Sequence, residues 1–439
     1  MSEVKISVIM PCYNTSAYIE KCLDSVLCQS FTDFEIICVD DGSTDGTVDI
    51  LRRYADSDSR VRIIEQKNQY AGVARNNGLA AAQGEYVVFW DSDDFFHENA
   101  LELLYEKITA DGADICLCDA FKYYEDVDKS YWSEDYIKYS NLPEETPFNK
   151  NDIPDKIFNF GANVPWNKMF RRDFITANGL QFQNLKQAND TYFVLMAMFL
   201  ADRITYVRRR LVHYRCDSKG NLTSGKTVIP PCAFEAYGFL KKELEAREDF
   251  TEENRISFLN RAARGMLRVL HLPMAEADYA AMREFFITGG FKELDLIFEE
   301  EKYEARWIYE DIQSVFNNSP TEHLMYKFEA ARVSKDKIKS KSMKLQSRLN
   351  KSEKLLEKTE NKNAVLREKL EQKKESERTL KAELKAKEKE LKKVTKERDN
   401  LDRTLTALRR KWYVRLFNKL ERMFKGKNNK TEPDRKDEK

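Results

Sequence analysis

The sequence predicts an α/β fold: a Rossmann-like, mostly parallel sheet with helices on both faces, followed by a helical lobe and a C-terminal coiled coil. Three observations carry this. Short apolar runs alternate with helical periodicity over the first 120 residues; acidic pairs stand where two of those runs end; and from Ile338 to Trp412 hardly a glycine or proline interrupts the chain.

In chain order, "KISVIM" (5–10), "FEIICVD" (34–40), "VRIIEQ" (61–66), "YVVFWD" (86–91) and "ADICLC" (113–118) are strand candidates. Between them, "SAYIEKCLDSVLCQ", "DGTVDILRRYAD", "GVARNNGLAAAQ" and "ENALELLYEKITAD" carry apolar residues three and four apart, the spacing of one helix face. Strand and helix alternating in this way build a sheet wound by helices, in which ligands bind outside the carboxyl ends of the strands. From about 121 to 227 the pattern loosens into aromatic, irregular sequence, which closes a first domain at 1–227. Residues 228–330 read as an amphipathic helical accessory region, with "NRISFLNRAARGMLRVLHL" its clearest stretch.

Length and charge set outer bounds. At 439 residues the chain suggests two or three folding units, and its 74 basic and 74 acidic side chains cancel, which argues against nucleic-acid binding through the body of the protein. Eight cysteines occur without C-x-x-C spacing and mostly among apolar neighbours, as buried reduced thiols do. No basic-then-apolar leader opens the sequence and no run of about 18 apolar residues occurs, so a reducing, cytoplasmic setting is expected.

"VDDGSTDGT" (39–47) puts Asp40 and Asp41 at the end of the second strand, and "DSDD" puts Asp91, Ser92, Asp93 and Asp94 at the end of the fourth. Helix capping by Ser43 or Thr44 with Asp45 explains the small residues but leaves the carboxylate pair without a purpose. Two acidic clusters on one rim repel unless a cation or hydrogen-bond donors lie between them. Hard oxygen ligands of this kind suit Mg²⁺ or Mn²⁺ holding a diphosphate.

Together with "ISVIMPCYN", "GVARNNGL", "GEYVVFWDSDD", "WNKMFRR" and "NDTYF", these motifs make roughly the first 220 residues resemble a family 2 glycosyltransferase with the GT-A fold. The resemblance implies an inverting, metal-dependent transfer from a UDP-sugar. Pro11 and Tyr13 would flank the uracil, Asp41 would accept from its ring N–H, and Arg75 would lie near the base or phosphates. Asp91 and Ser92 would line the ribose side, and Asp93 would hold the metal. Asp190 would be the base, with Asn189 where the family usually has glutamate. An N-cap on the following helix is the plain alternative for Asp190. Asp94, Trp166, Lys168 and His213 stand nearby in the motifs without an assigned role.

With Leu349 as an a position, seven of ten a residues and six of ten d residues between 345 and 412 are apolar, which favours a coiled coil over 338–412 about 110 Å long. Asn363 at an a position favours two strands in register, hence a homo-oligomer. The segment 409–427 then sets Arg409, Arg410, Lys411, Arg415, Lys419, Arg422, Lys425 and Lys427 against a single Glu421, with Trp412, Leu416, Leu420, Met423 and Phe424 sharing a face. A basic amphipathic helix of this type lies on anionic membrane, so a peripheral place at the inner face of the plasma membrane is expected, near a glycan or lipid-linked acceptor. Residues 428–439 read as a disordered tail. The rival reading is a catalytically silent scaffold that acts through the coiled coil.

Overall fold

The computed structural model describes residues 4–132, 136–216, 230–270, 276–323 and 325, together with 351–352, 358–359, 362, 385–401 and 403–404. Two compact units divide the chain, Met1–Pro320 and Thr321–Lys439.

In the first unit, β1 (Ile6–Cys12), α1 (Ile19–Leu27), β2 (Phe34–Asp40), α2 (Thr47–Ser57), β3 (Val61–Glu65), α3 (Tyr70–Ala81) and β4 (Tyr86–Phe89) alternate as the sequence predicts. Every residue of β1 and β2 is buried, because strands covered by helices on both faces read as continuous apolar runs. After β5 (Phe95–Phe96) and α4 (Ala100–Ala110), β6 (Ile115–Tyr124) continues well past the expected "ADICLC" and pairs with β7 (Lys129–Trp132). Then follow β8 (Lys168–Arg171), α5 (Arg172–Ala177), α6 (Thr191–Leu200) and β9 (Ile204–Arg215). The stretch read as irregular therefore supplies three further strands.

The sheet runs β3-β2-β1-β4-β8-β6-β9-β5, with β7 on β6. β1 to β4 are parallel, as expected. The fourth repeat departs from a simple winding: β8 inserts antiparallel between β4 and β6, pairing Val87 with Phe170 on one side and Cys116 with Met169 on the other. This insertion carries the "WNK" segment into the sheet.

The apolar side chains of β1, β2, β4 and β6 pack with those of α1 and α4 in one core that includes Trp90 and Trp166. All eight cysteines are free, and six are buried. α6 is apolar on every side and buried over all but two of its ten residues. Further along, α7 (Pro230–Glu245), α8 (Glu252–Leu270), α9 (Glu276–Phe285), the short α10 (Phe291–Glu293) and α11 (Arg306–Asn317) complete the unit. α8 is tied to the chain ahead of β8: Asn159 Nδ2 donates to the Ser257 carbonyl at 2.8 Å, and Asn254 Nδ2 to the Pro154 carbonyl at 3.1 Å.

In the second unit, residues 385–401 are helical, and Val394 and Leu401, two successive d positions, are buried. The rest of the coiled-coil frame lies largely outside the described residues, as do the basic segment 409–427 and the tail. No helix among the described residues is long and apolar enough to cross a membrane.

Candidate functional site

β1 lies between β2 and β4, so the acidic ends of β2 and β4 are two strand spacings apart, about 10 Å. The register fixes this mouth. Cys12 stands beside Asp40, the Asp41 amide donates to the Cys12 carbonyl at 2.8 Å, and Ser92 Oγ donates to the Pro11 carbonyl at 2.9 Å. Pro11 and Ser92 are thus buried fixtures of the mouth. Tyr13, just beyond β1, is 49% exposed over it.

The two aspartates of "VDDG" divide their tasks. Asp40 Oδ2 accepts from the amides of Gly42 and Ser43, both at 3.1 Å, and so folds the turn that follows. Gly42 sits at φ +76°, where a side chain would be strained and its Cβ would come within 3.1 Å of the Asn68 amide, so the motif needs glycine there. Asp41 is 3% exposed, and its Oδ1 accepts from Gln66 Nε2 at 2.8 Å and the Gln69 amide at 2.7 Å. Among the described residues its Oδ2 takes no hydrogen bond. The small residues lace two loops together, and of the expected caps only Asp45 bonds the start of α2. Asn14 donates from its amide to Ser43 Oγ and accepts the Thr44 amide, while Asp45 accepts the amides of Ser16 and Thr47.

On the β4 side, Asp91 Oδ1 is bonded at 2.6 Å by Nη2 of Arg75, which is itself only 6% exposed. Nη1 of the same guanidinium donates to Asn189 Oδ1 at 3.0 Å, and the group lies over the Phe182 ring. Arg75 therefore links the acidic end of β4 to the segment ahead of α6. Asp94 caps no helix: Oδ1 accepts the Arg215 amide at 2.8 Å, and Arg215 Nε returns a bond to the Asp93 carbonyl at 2.8 Å, so β9 holds the acidic turn in shape. Nothing in the sequence pattern marks Arg215 for that task.

The residues present fit a divalent cation. Asp94 Oδ2 is buried without a hydrogen bond, and burial, followed by the charges of Asp93 and Asp91, holds the Asp94 carboxyl well above the usual carboxylate range. A cation beside these groups would relieve that repulsion. Among the described residues no three His, Cys, Asp or Glu side chains form a metal cage. Mg²⁺ and Mn²⁺ bound by a diphosphate need only one or two carboxylates, with phosphate and water oxygens completing the shell.

Asp190 occupies the N-cap position of α6, yet its side chain makes no capping bond. Among the described residues its half-buried carboxylate takes no hydrogen bond from another residue; only its own backbone N–H favours the charged form. Burial pushes its pKa up to about 6, against the lowering effect of Arg75; Asp91 adds to the rise, and Lys168 opposes it. Lys168 is fully buried and donates to the carbonyls of Ala162 and Val164 and to Asn167 Oδ1 at 2.7–2.8 Å. Burial brings its pKa down to about 7, which leaves it a structural pin and not a surface charge. Trp166 is core, stacked on Tyr214 at 5.3 Å. His213 pairs with Phe95, next to the acidic turn. It is stacked between Phe95 and Phe121, and burial holds its pKa down at about 4.

Comparison with known proteins bears on the family of the chain. The model of glycosyl transferase family 2 matches residues 7–177. A putative glycosyltransferase EpsH of Bacillus subtilis is 35% identical over 218 residues, 49% of this chain and 62% of its own. Glycosyltransferase GlyG of Streptococcus pneumoniae is 33% identical over 220 residues, 49% of this chain and 71% of its own. This chain thus spans less than two thirds of EpsH and slightly more than two thirds of GlyG. The crystal structure of Staphylococcus aureus TarS 1–349 in complex with UDP-GlcNAc is similar over 70% of this chain and 91% of that one, at 21% identity and a TM-score of 0.49.

Proposed function

Because the chain belongs to glycosyl transferase family 2, we propose that it moves a sugar from a UDP-sugar to a hydroxyl of a surface-glycan acceptor, with inversion at the anomeric carbon. The observation that carries this reading is the Asp190 carboxylate: without a capping bond to its helix, raised to about 6, and joined through Asn189 and Arg75 to the acidic rim of β4. A group with that proton affinity is ionised at neutral pH and still basic enough to take a proton in the transition state.

In this account Pro11 and Tyr13 hold the uracil and the free Oδ2 of Asp41 accepts its ring N–H. Asp91 and Ser92 border the ribose, with Asp91 fixed by Arg75. Asp190 removes the proton of the acceptor hydroxyl as its oxygen attacks the anomeric carbon, and the bond to the diphosphate breaks with its electron pair leaving on UDP. A Mg²⁺ or Mn²⁺ ion held by Asp93 would neutralise the charge that gathers on that leaving group.

The coiled coil of 338–412 would join two or more copies, and the basic helix of 409–427 would keep them at the inner, cytoplasmic face of an anionic membrane, where a lipid-linked acceptor is presented. The test is a panel of UDP-sugars incubated with the purified protein with and without Mn²⁺. The reading expects UDP release from one sugar class that depends on the metal, and no turnover of any donor would refute it.

A further inference from the structure

Beyond the Asp190 carboxylate, α8 faces the active segment with an excess of positive charge. Arg261 Nη2 donates to Asn163 Oδ1 at 2.6 Å, and Asn163 Nδ2 donates in turn to Oγ1 of Thr191, the residue after Asp190, at 3.0 Å. Lys168 pins the carbonyls on either side of Asn163, and its charge is felt by both Arg261 and Asp190. Arg261 is therefore one side chain removed from the base segment.

The charges there do not balance. Arg264, one turn along α8, is 2.7 Å from Glu304 Oε2 and also bonds Asn159; Lys138 Nζ is 3.8 Å from Oε1 of the same glutamate. Two cations share one carboxylate. Arg261, half-buried, has no acidic partner among the described residues, and its one hydrogen bond to them is to a neutral amide, so donors of its fork remain open to a ligand. A half-buried guanidinium without a counter-ion can accept one, and its planar fork matches phosphate and carboxylate oxygens in a bidentate geometry.

We propose that Arg261, supported by Lys138 and Arg264, forms a subsite for an oxyanion group of the acceptor, a phosphate ester or a uronate carboxylate. The proposal rests on the transferase reading for its word "acceptor", and the anion site itself does not. Occupation of this subsite would place a hydroxyl of the same chain within reach of Asp190, so the enzyme would select charged over neutral glycans.

The experiment titrates glycerol 3-phosphate and, separately, glucuronic acid into the full-length protein saturated with UDP and Mn²⁺, using calorimetry on wild type, Arg261→Ala, Arg261→Lys and Lys138→Ala. The expected result is that wild type binds at least one of the two. Arg261→Ala should weaken that binding at least tenfold, Arg261→Lys less, and the exposed Lys138→Ala by about threefold, with UDP affinity unchanged throughout. Preference for the phosphate ester identifies a phosphodiester-bearing acceptor, and preference for glucuronate a uronate-bearing one. Binding of neither anion by wild type, or equal binding by wild type and both alanine variants, overturns the subsite. Binding of an anion through Arg261 by a protein that does not bind UDP would leave the subsite standing and remove the transferase reading.

Discussion

At the residue scale, the buried setting of Asp190 disfavours its charged form and so costs stability. Its pKa is raised in the folded protein, so between about 3.8 and about 6 the native state binds more protons than the unfolded chain, and stability falls as pH rises through that window. The substitution Asp190→Asn removes the charge, and thermal denaturation at pH 7.5 should show a more stable protein, by no more than about 3 kcal/mol. The same variant should lose transfer by about 10²–10⁴-fold while its UDP affinity stays at the wild-type value. In the wild type, kcat/KM should fall as pH drops below about 6, as the base takes up its proton. A protein in which Asp190→Asn destabilises and UDP binding is lost with transfer would have Asp190 as a structural residue. The aspartate was legible in the sequence through its motif. Its missing cap bond was not, because Asp before a helix is the ordinary N-cap pattern.

At the scale of elements, α3 joins the two halves of the site. Gly78 brings the helix onto β1 so closely that a Cβ there would stand 2.4 Å from Ile9 Cγ2, and one at Gly72 would stand 2.2 Å from the Gln183 carbonyl, just ahead of Asn189. Arg75 lies between these glycines, which is why it reaches both Asp91 and Asn189. Gly78→Ala should cost about 1–3 kcal/mol in chemical denaturation through overpacking. Gly72→Ala should displace the segment carrying Asp190 and lower kcat far more than it raises the Kd for UDP; an equal loss of both would place the defect in the donor pocket. The parallel strands β1 to β4 and the helices between them were legible because continuous apolar runs and helical spacing are local signals. β8 has only four residues, "KMFR", and its place between β4 and β6 is set by pairing with residues 51 to 85 positions earlier, which no local pattern records. β9 is hidden by its three successive arginines, two of them exposed, which break the apolar alternation of a strand. Lys168 escaped assignment for a related reason: a lysine whose ammonium is satisfied by three buried oxygens looks in sequence like any surface lysine.

For the whole molecule, the first unit contains the entire mouth, the Asp190 segment and α8. A chain ending at Pro320 should therefore fold and bind UDP with unchanged affinity. If 338–412 joins copies and 409–427 meets the membrane, that truncation should sediment as a monomer and leave anionic vesicles, whereas the full chain should self-associate and co-sediment with them. Vesicle binding that survives removal of 409–439 would assign the membrane contact to another surface. The heptad frame and the basic run are plain in the sequence because both are periodic and local.

The central claim is that one nucleoside diphosphate and a divalent ion are shared between the ends of β2 and β4. Calorimetric titration of UDP into wild type, Asp41→Ala and Asp93→Ala, each with and without Mn²⁺, tests it most directly. The account predicts that Mn²⁺ tightens UDP binding by wild type, that Asp93→Ala abolishes this gain, and that Asp41→Ala weakens UDP whether or not the metal is present. A wild-type affinity indifferent to Mn²⁺, or an Asp93→Ala protein that keeps the whole gain, would contradict it.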